Sequence, residues 1–162
     1  MKKLFALILA VVMIATMSTT AFAANTTGGS TEVSFNVDPT YTITIPATVE
    51  LERKEDNGTV TYENDYTIEA VAGVRLKKNE YIEVTVASDF EMTTEQGATL
   101  DYTITKDGNA VANNGVVAEF ATDKNAQSTT IHIAANDPDY AGEYEDTVTF
   151  TVAVKVAANN PI

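Results

Sequence analysis

The chain has 162 residues, with ten basic and 23 acidic side chains, a single histidine, and neither cysteine nor tryptophan. That composition excludes a disulfide framework, a thiolate metal centre and a bacterial lipoprotein anchor, all of which need cysteine. The acidic balance argues against nucleic acid and anionic lipid as partners, because a negative surface repels both.

Taken in chain order, the first segment does not read as part of the fold. Lys2 and Lys3 precede an apolar run over residues 4–17, and Ala21-Phe22-Ala23 supplies a small-residue cleavage site. That order is the pattern of a secretory signal peptide, here residues 1–23. The run is shorter than the roughly 20 residues that cross a bilayer as a helix. Removing 23 residues leaves 139, a single domain, in which eight basic residues face 23 acidic ones for a net charge of −15. The protein is therefore expected outside the cell, with no membrane contact after cleavage.

Residues 24–30 are small and polar and read as a flexible leader. From there the apolar period is two, the spacing of a half-buried strand. Val33, Phe35 and Val37 form the first such run, and Asp38-Pro39 ends it. Tyr41, Ile43 and Ile45 resume the pattern until Pro46, and Val49 and Leu51 start a short strand that runs into the charged residues 52–56. Asp56-Asn57-Gly58 is a hairpin signal, since Asn and Gly tolerate positive φ. Val60 and Tyr62 follow, then Tyr66, Ile68 and Ala70 as a separate strand, and Ile82, Val84 and Val86 as the next. Leu100, Tyr102 and Ile104 run up to a second turn at Asp107-Gly108, and a third turn at Asn114-Gly115 precedes Val116, Ala118 and Phe120. Ile131 and Ile133 come next, and the last run carries Tyr144, Val148, Phe150, Val152, Val154 and Val156 on one parity. The register breaks only at Asp146. Short strands punctuated by Gly, Asn, Asp and Pro predict an all-β antiparallel sandwich over residues 31–156, immunoglobulin-like or jelly-roll-like, with residues 157–162 as a tail. Its inward face should be formed by Tyr41, Ile43, Ile45, Ile82, Val84, Val86, Leu100, Tyr102, Ile104, Val148, Phe150 and Val152.

Few residues offer chemistry. His132 lies between Ile131 and Ile133 and so faces away from the core, with no Gly-x-Ser-x-Gly elbow to serve. Carboxylates are abundant, and a glycoside hydrolase needs two of them close together. The densest acidic group is Asp137, Asp139, Glu143, Glu145 and Asp146, the candidate ligands for a calcium ion, although the spacing is not that of an EF-hand loop. No catalytic set and no cofactor is expected, calcium apart.

The stretch Tyr140-Ala141-Gly142-Glu143-Tyr144-Glu145-Asp146-Thr147-Val148-Thr149-Phe150-Thr151-Val152 resembles the terminal strand of spore-coat-U-like and pilin-like secreted domains. With Tyr41-Thr42-Ile43-Thr44-Ile45-Pro46-Ala47, it is also similar to small all-β surface proteins of Gram-positive bacteria. The resemblance covers about a quarter of the mature chain. An immunoglobulin-type tyrosine corner is a further comparison, but Asp139 is one residue too far from Tyr144 for its Asp-x-Gly-x-Tyr form. The pilin-like resemblance implies assembly by strand exchange, in which an extended segment completes a neighbour's sheet. Residues 32–37 suit that role, but the bare sequence favours reading them as the first strand of their own domain.

Together these readings lead to a secreted, non-enzymatic structural or adhesive protein whose partners are other proteins, the cell wall or itself as a homo-polymer. The alternatives are a calcium-stabilised soluble binding module and a carboxylate-dependent hydrolase. At −15, identical subunits repel, so assembly is expected to strengthen with added salt.

Overall fold

The computed structural model describes residues 33–158 and, as backbone, the short strand β1 (Leu9–Val12). Most of the proposed signal segment, the leader 24–30 and the last four residues lie outside the described residues. The described chain is strand and turn throughout, as the period-two pattern requires.

Two antiparallel sheets face each other. The larger has the order β1, β2 (Thr42–Ile45), β4 (Thr59–Ala70), β10 (Gln127–Asn136), β7 (Thr99–Lys106) and β6 (Glu91–Thr93). Two short strands complete its edges: β3 (Glu52–Asp56) pairs with β4, and β8 (Asn109–Ala110) pairs with β7. The smaller sheet has the order β11 (Thr149–Val156), β5 (Glu80–Ala87) and β9 (Gly115–Phe120). The order β2-β4-β10-β7 over β11-β5 is that of strands A-B-E-D over F-C in an immunoglobulin-type sandwich.

Between the sheets lies one core. Ile68, Ile82, Val84, Val86, Val117 and Ile131 are fully buried, with Ile104 and Phe120 almost so. Burying each side chain of this size contributes about 1.5–3 kcal/mol, and with no disulfide this is the fold's main support. Six of the expected inward residues, Ile43, Ile82, Val84, Val86, Tyr102 and Ile104, are buried. Tyr41, Ile45, Leu100, Val148, Phe150 and Val152 pack against that cluster from partly exposed positions.

Turn chemistry sets the β3–β4 and β7–β8 hairpins. Asn57 and Gly58 both have positive φ, 50° and 84°, as do Asp107 and Gly108 at 51° and 76°. A two-residue turn of that hand matches the twist of the strands it joins.

Five strand readings need correction, the first being that the last strand, read from Tyr144, begins only at Thr149, so Tyr144 and Val148 precede it. Residues 33–39 form no strand, and Val33 and Phe35 stand out in solvent at 90% and 89% exposure. The charged residues 52–56 are themselves strand β3, whereas Val49 and Leu51 precede it. The two strands read at Val60 and Tyr66 are one, because β4 continues unbroken for 12 residues. On β9 the parity slips: Val84 pairs with Ala118 but Thr85 pairs with Val116, so a bulge turns Val117 into the core and leaves Val116 exposed. A bulge puts two residues opposite one, which no period-two count anticipates.

Candidate functional site

The immunoglobulin-type order ends where a further strand belongs. In that fold strand G follows F and pairs with its outer edge. Here β11 stands in the place of F, pairing with β5 from Thr149–Ala87 to Val156–Glu80. Among the described residues no strand pairs with its other edge. Unpaired N–H and C=O groups on such an edge form a template for another strand.

The inward face of β11 shows the same vacancy. Val154 is paired with Ile82, so the two share the inward face, yet Ile82 is fully buried and Val154 is 40% exposed. Val156, two residues on, is 69% exposed. Apolar side chains that point inward and remain wet mark a place where packing is incomplete.

Across the sandwich, β2 is held to β4 only by the pairs Ile43–Ala70 and Thr44–Glu69. Its outer edge carries β1, in the register Leu9–Ile45 to Val12–Thr42. β1 belongs to the segment read as a signal peptide, so in the cleaved chain this edge too would be open. Residues 33–39 lead into β2 at the bridge between Thr40 and Arg75, where two backbone hydrogen bonds of 2.8 Å close the pair.

The start of β11 is anchored by a polar clasp. The Asp146 carboxylate accepts hydrogen bonds from the Ser88 hydroxyl and the Tyr102 hydroxyl, both at 2.6 Å, and from the Thr147 N–H at 2.6 Å. Ser88 follows β5 and Tyr102 lies on β7, so the clasp ties β11 to both sheets. Burial alone would raise the Asp146 pKa, but the three donors outweigh it and hold the carboxyl below its ordinary value. Burial and the neighbouring carboxylate push the Tyr102 phenol well above its usual range. Tyr66 also lies in the core, edge-on to Phe150 at 6.0 Å, and its hydroxyl is buried without a partner.

The tyrosine corner forms after all. The Tyr144 hydroxyl donates to the Tyr140 carbonyl at 2.9 Å, four residues upstream, at the turn between β10 and β11. The Asp spacing was a poor guide because the acceptor is a backbone carbonyl, which any residue supplies.

The other candidate residues are placed as follows. His132 is on the outer face of β10, with Nδ1 2.7 Å from Asp65 and Nε2 3.5 Å from Glu63. No serine hydroxyl bonds to it among the described residues, so no triad is assembled. Asp137, Asp139, Glu143 and Glu145 are exposed around the β10–β11 turn, and Asp146 is committed to its clasp. Among the described residues no three carboxylates or imidazoles gather into a metal-holding group. Two shallow clefts of about 330 and 300 Å³ open on the surface. One is lined by Asp107 and the other by Glu119 as the lone carboxylate, so neither holds the close pair a carboxylate hydrolase requires.

No family model matches the chain, and no curated protein sequence matches it. Among solved structures, the P pilus rod subunit PapA is similar to 60% of this chain over 82% of its own length, with 12% identity and a TM-score of 0.46. A chain from the chaperone–tip adhesin complex of CFA/I fimbriae biogenesis is similar to 69% of this chain, with 14% identity and a TM-score of 0.37. The protein spans 39% of the length of that second chain.

Proposed function

We propose that the protein is an extracellular, non-enzymatic structural or adhesive subunit that joins to further copies of itself by strand addition. The observation that carries this reading is the open outer edge of β11, whose inward-facing Val154 and Val156 remain exposed. The strand offered to it is residues 33–37 of another copy. Val33, Phe35 and Val37 alternate with polar residues, pair with no strand among the described residues, and are 90%, 89% and 47% exposed. A strand added there gains backbone hydrogen bonds and buries alternate side chains in the gap between the sheets. Burying Phe35 and two valines contributes about 1.5–3 kcal/mol each.

The test is sizing of the secreted chain, residues 24–162, by analytical ultracentrifugation across concentration, beside a chain lacking residues 24–37 and a Phe35→Asp variant. Larger species that grow with concentration are expected for the full secreted chain and absent from both variants. A strict monomer at every concentration, or assembly that survives the deletion, would overturn the reading.

A further inference from the structure

We infer that the subunit is electrically polarised along its strands, and that successive copies join with the cationic β4–β5 connection of one against the acidic end of the next. This rests on strand addition between copies and adds its direction and its electrostatic control.

The topology sorts the charges. β4 and β11 finish, and β5 begins, at one end of the sandwich: Val156 pairs with Glu80, and the Ala157 N–H donates to the Asn79 carbonyl. The connection between β4 and β5 there carries Arg75, Lys77 and Lys78. Lys155 is the second-last residue of β11, Lys124 lies beside the Val74–Asp123 bridge, and Lys106 is at the end of β7. Thus six of the eight basic residues after position 23 share one end. Seven carboxylates share it, Asp38, Glu69, Glu80, Glu83, Asp107, Glu119 and Asp123, so the end as a whole is close to neutral and its cationic surface is the β4–β5 connection, where Arg75, Lys77 and Lys78 stand together. The opposite end, where β5 and β10 finish and β7 and β11 begin, holds nine carboxylates, among them Asp89, Glu91, Asp137, Asp139 and Glu145.

The pairing of the cations differs in the same way. Arg53 and Lys54, on β3, are neutralised by Glu55 at 3.0 Å and Glu63 at 2.9 Å. At the other end Lys155 lies 3.5 Å from Glu83, but Arg75, Lys77, Lys78, Lys106 and Lys124 form no ion pair among the described residues. All of these except Lys106 are fully on the surface. A cluster of unpaired cations on a strongly acidic protein is complementary to one surface already at hand, the far end of another copy.

Chain geometry brings those surfaces together. The segment 33–39 leaves its domain beside the β4–β5 connection, at the Thr40–Arg75 bridge. Seven extended residues reach about 23 Å, close to the roughly 26 Å length of an eight-residue strand such as β11. Little slack remains to separate the two domains. Laid antiparallel to β11, the segment ends beside the start of β11, at the acidic end of the acceptor, and the donor's Arg75, Lys77 and Lys78 meet it there. Laid parallel, it would press two β4–β5 connections together, each with the unpaired cations Arg75, Lys77 and Lys78, and leave both acidic ends unmatched. Charge therefore selects the antiparallel, head-to-tail arrangement.

The experiment uses three secreted chains beside the unaltered one: Lys77→Glu with Lys78→Glu, Asp137→Lys with Asp139→Lys, and all four changes combined. The association constant is read by ultracentrifugation, with melting temperature as the control for folding. Each double reversal is expected to lower the constant by about tenfold or more, and the combined chain to recover it. Raising NaCl from about 20 to about 500 mM should weaken assembly of the unaltered chain, because salt screens an attraction between opposite surfaces. Repulsion between uniformly acidic subunits predicts the reverse. Reversals without effect, or assembly that strengthens with salt, would overturn the polarity while leaving strand addition standing, provided deletion of residues 24–37 still abolishes assembly. Assembly that survives that deletion would overturn both.

Discussion

Replacing Asp146 by Ala should destabilise the domain by about 2 kcal/mol, and the reason is the clasp it makes before β11. Ser88, Tyr102 and the Thr147 N–H each donate to this carboxylate at 2.6 Å. A hydrogen bond to a charged group contributes about 1.5–3 kcal/mol where water is excluded. Asp146 is exposed, so water takes over part of each bond when the carboxylate is removed, and the sum shrinks to about 2 kcal/mol. In a domain of this size that is a fall in melting temperature of roughly 7 °C. The assay is thermal unfolding of Asp146→Ala, Tyr102→Phe and the double variant. Because the two side chains share a bond, the double variant should lose about 1 kcal/mol less than the single losses added together. The pH dependence has a definite sign. The folded carboxyl titrates below the unfolded one, so its stabilisation is complete above about pH 3.9 and is lost as pH falls through the folded value. Asp146→Ala should flatten that part of the acid-unfolding curve. A loss below about 0.5 kcal/mol, or strict additivity with Tyr102→Phe, would refute the clasp.

Two further substitutions test the core. Tyr66→Phe should leave stability unchanged or raise it by up to about 1 kcal/mol, because the hydroxyl it removes is buried without a partner; a loss above about 1 kcal/mol in urea unfolding would mean that the hydroxyl is bonded in solution. The β9 bulge predicts that neighbouring valines behave oppositely: Val117→Thr buries a hydroxyl at a fully enclosed site and should cost about 1–3 kcal/mol, whereas Val116→Thr, on the outside, should cost less than about 0.5 kcal/mol. Equal effects would place the bulge elsewhere.

What the amino-acid sequence determined by itself is whatever depends on neighbours a few residues apart. Alternation along residues 41–45, 82–86 and 100–104 names strands and their buried faces, because successive side chains point to opposite sides of a sheet. Asn57-Gly58 and Asp107-Gly108 name their turns, because positive φ is a local preference. The composition similarly rules out a fold held by disulfides. Tertiary structure decided everything that depends on residues far apart. Val33, Phe35 and Val37 alternate as well as any strand in the chain, yet they are exposed and pair with no strand among the described residues, which only the tertiary structure decides. Val154 and Val156 look like core residues until the sheet order shows that no described strand covers them. Asp146 reads along the chain as a break in register; Ser88 and Tyr102, 58 and 44 residues away, tie it into a clasp. The gathering of Lys77, Lys78 and Lys155 at one end is likewise invisible along the chain, where Lys77 and Lys155 are far apart, and emerges because β5 and β11 are antiparallel neighbours that bring the start of one to the end of the other.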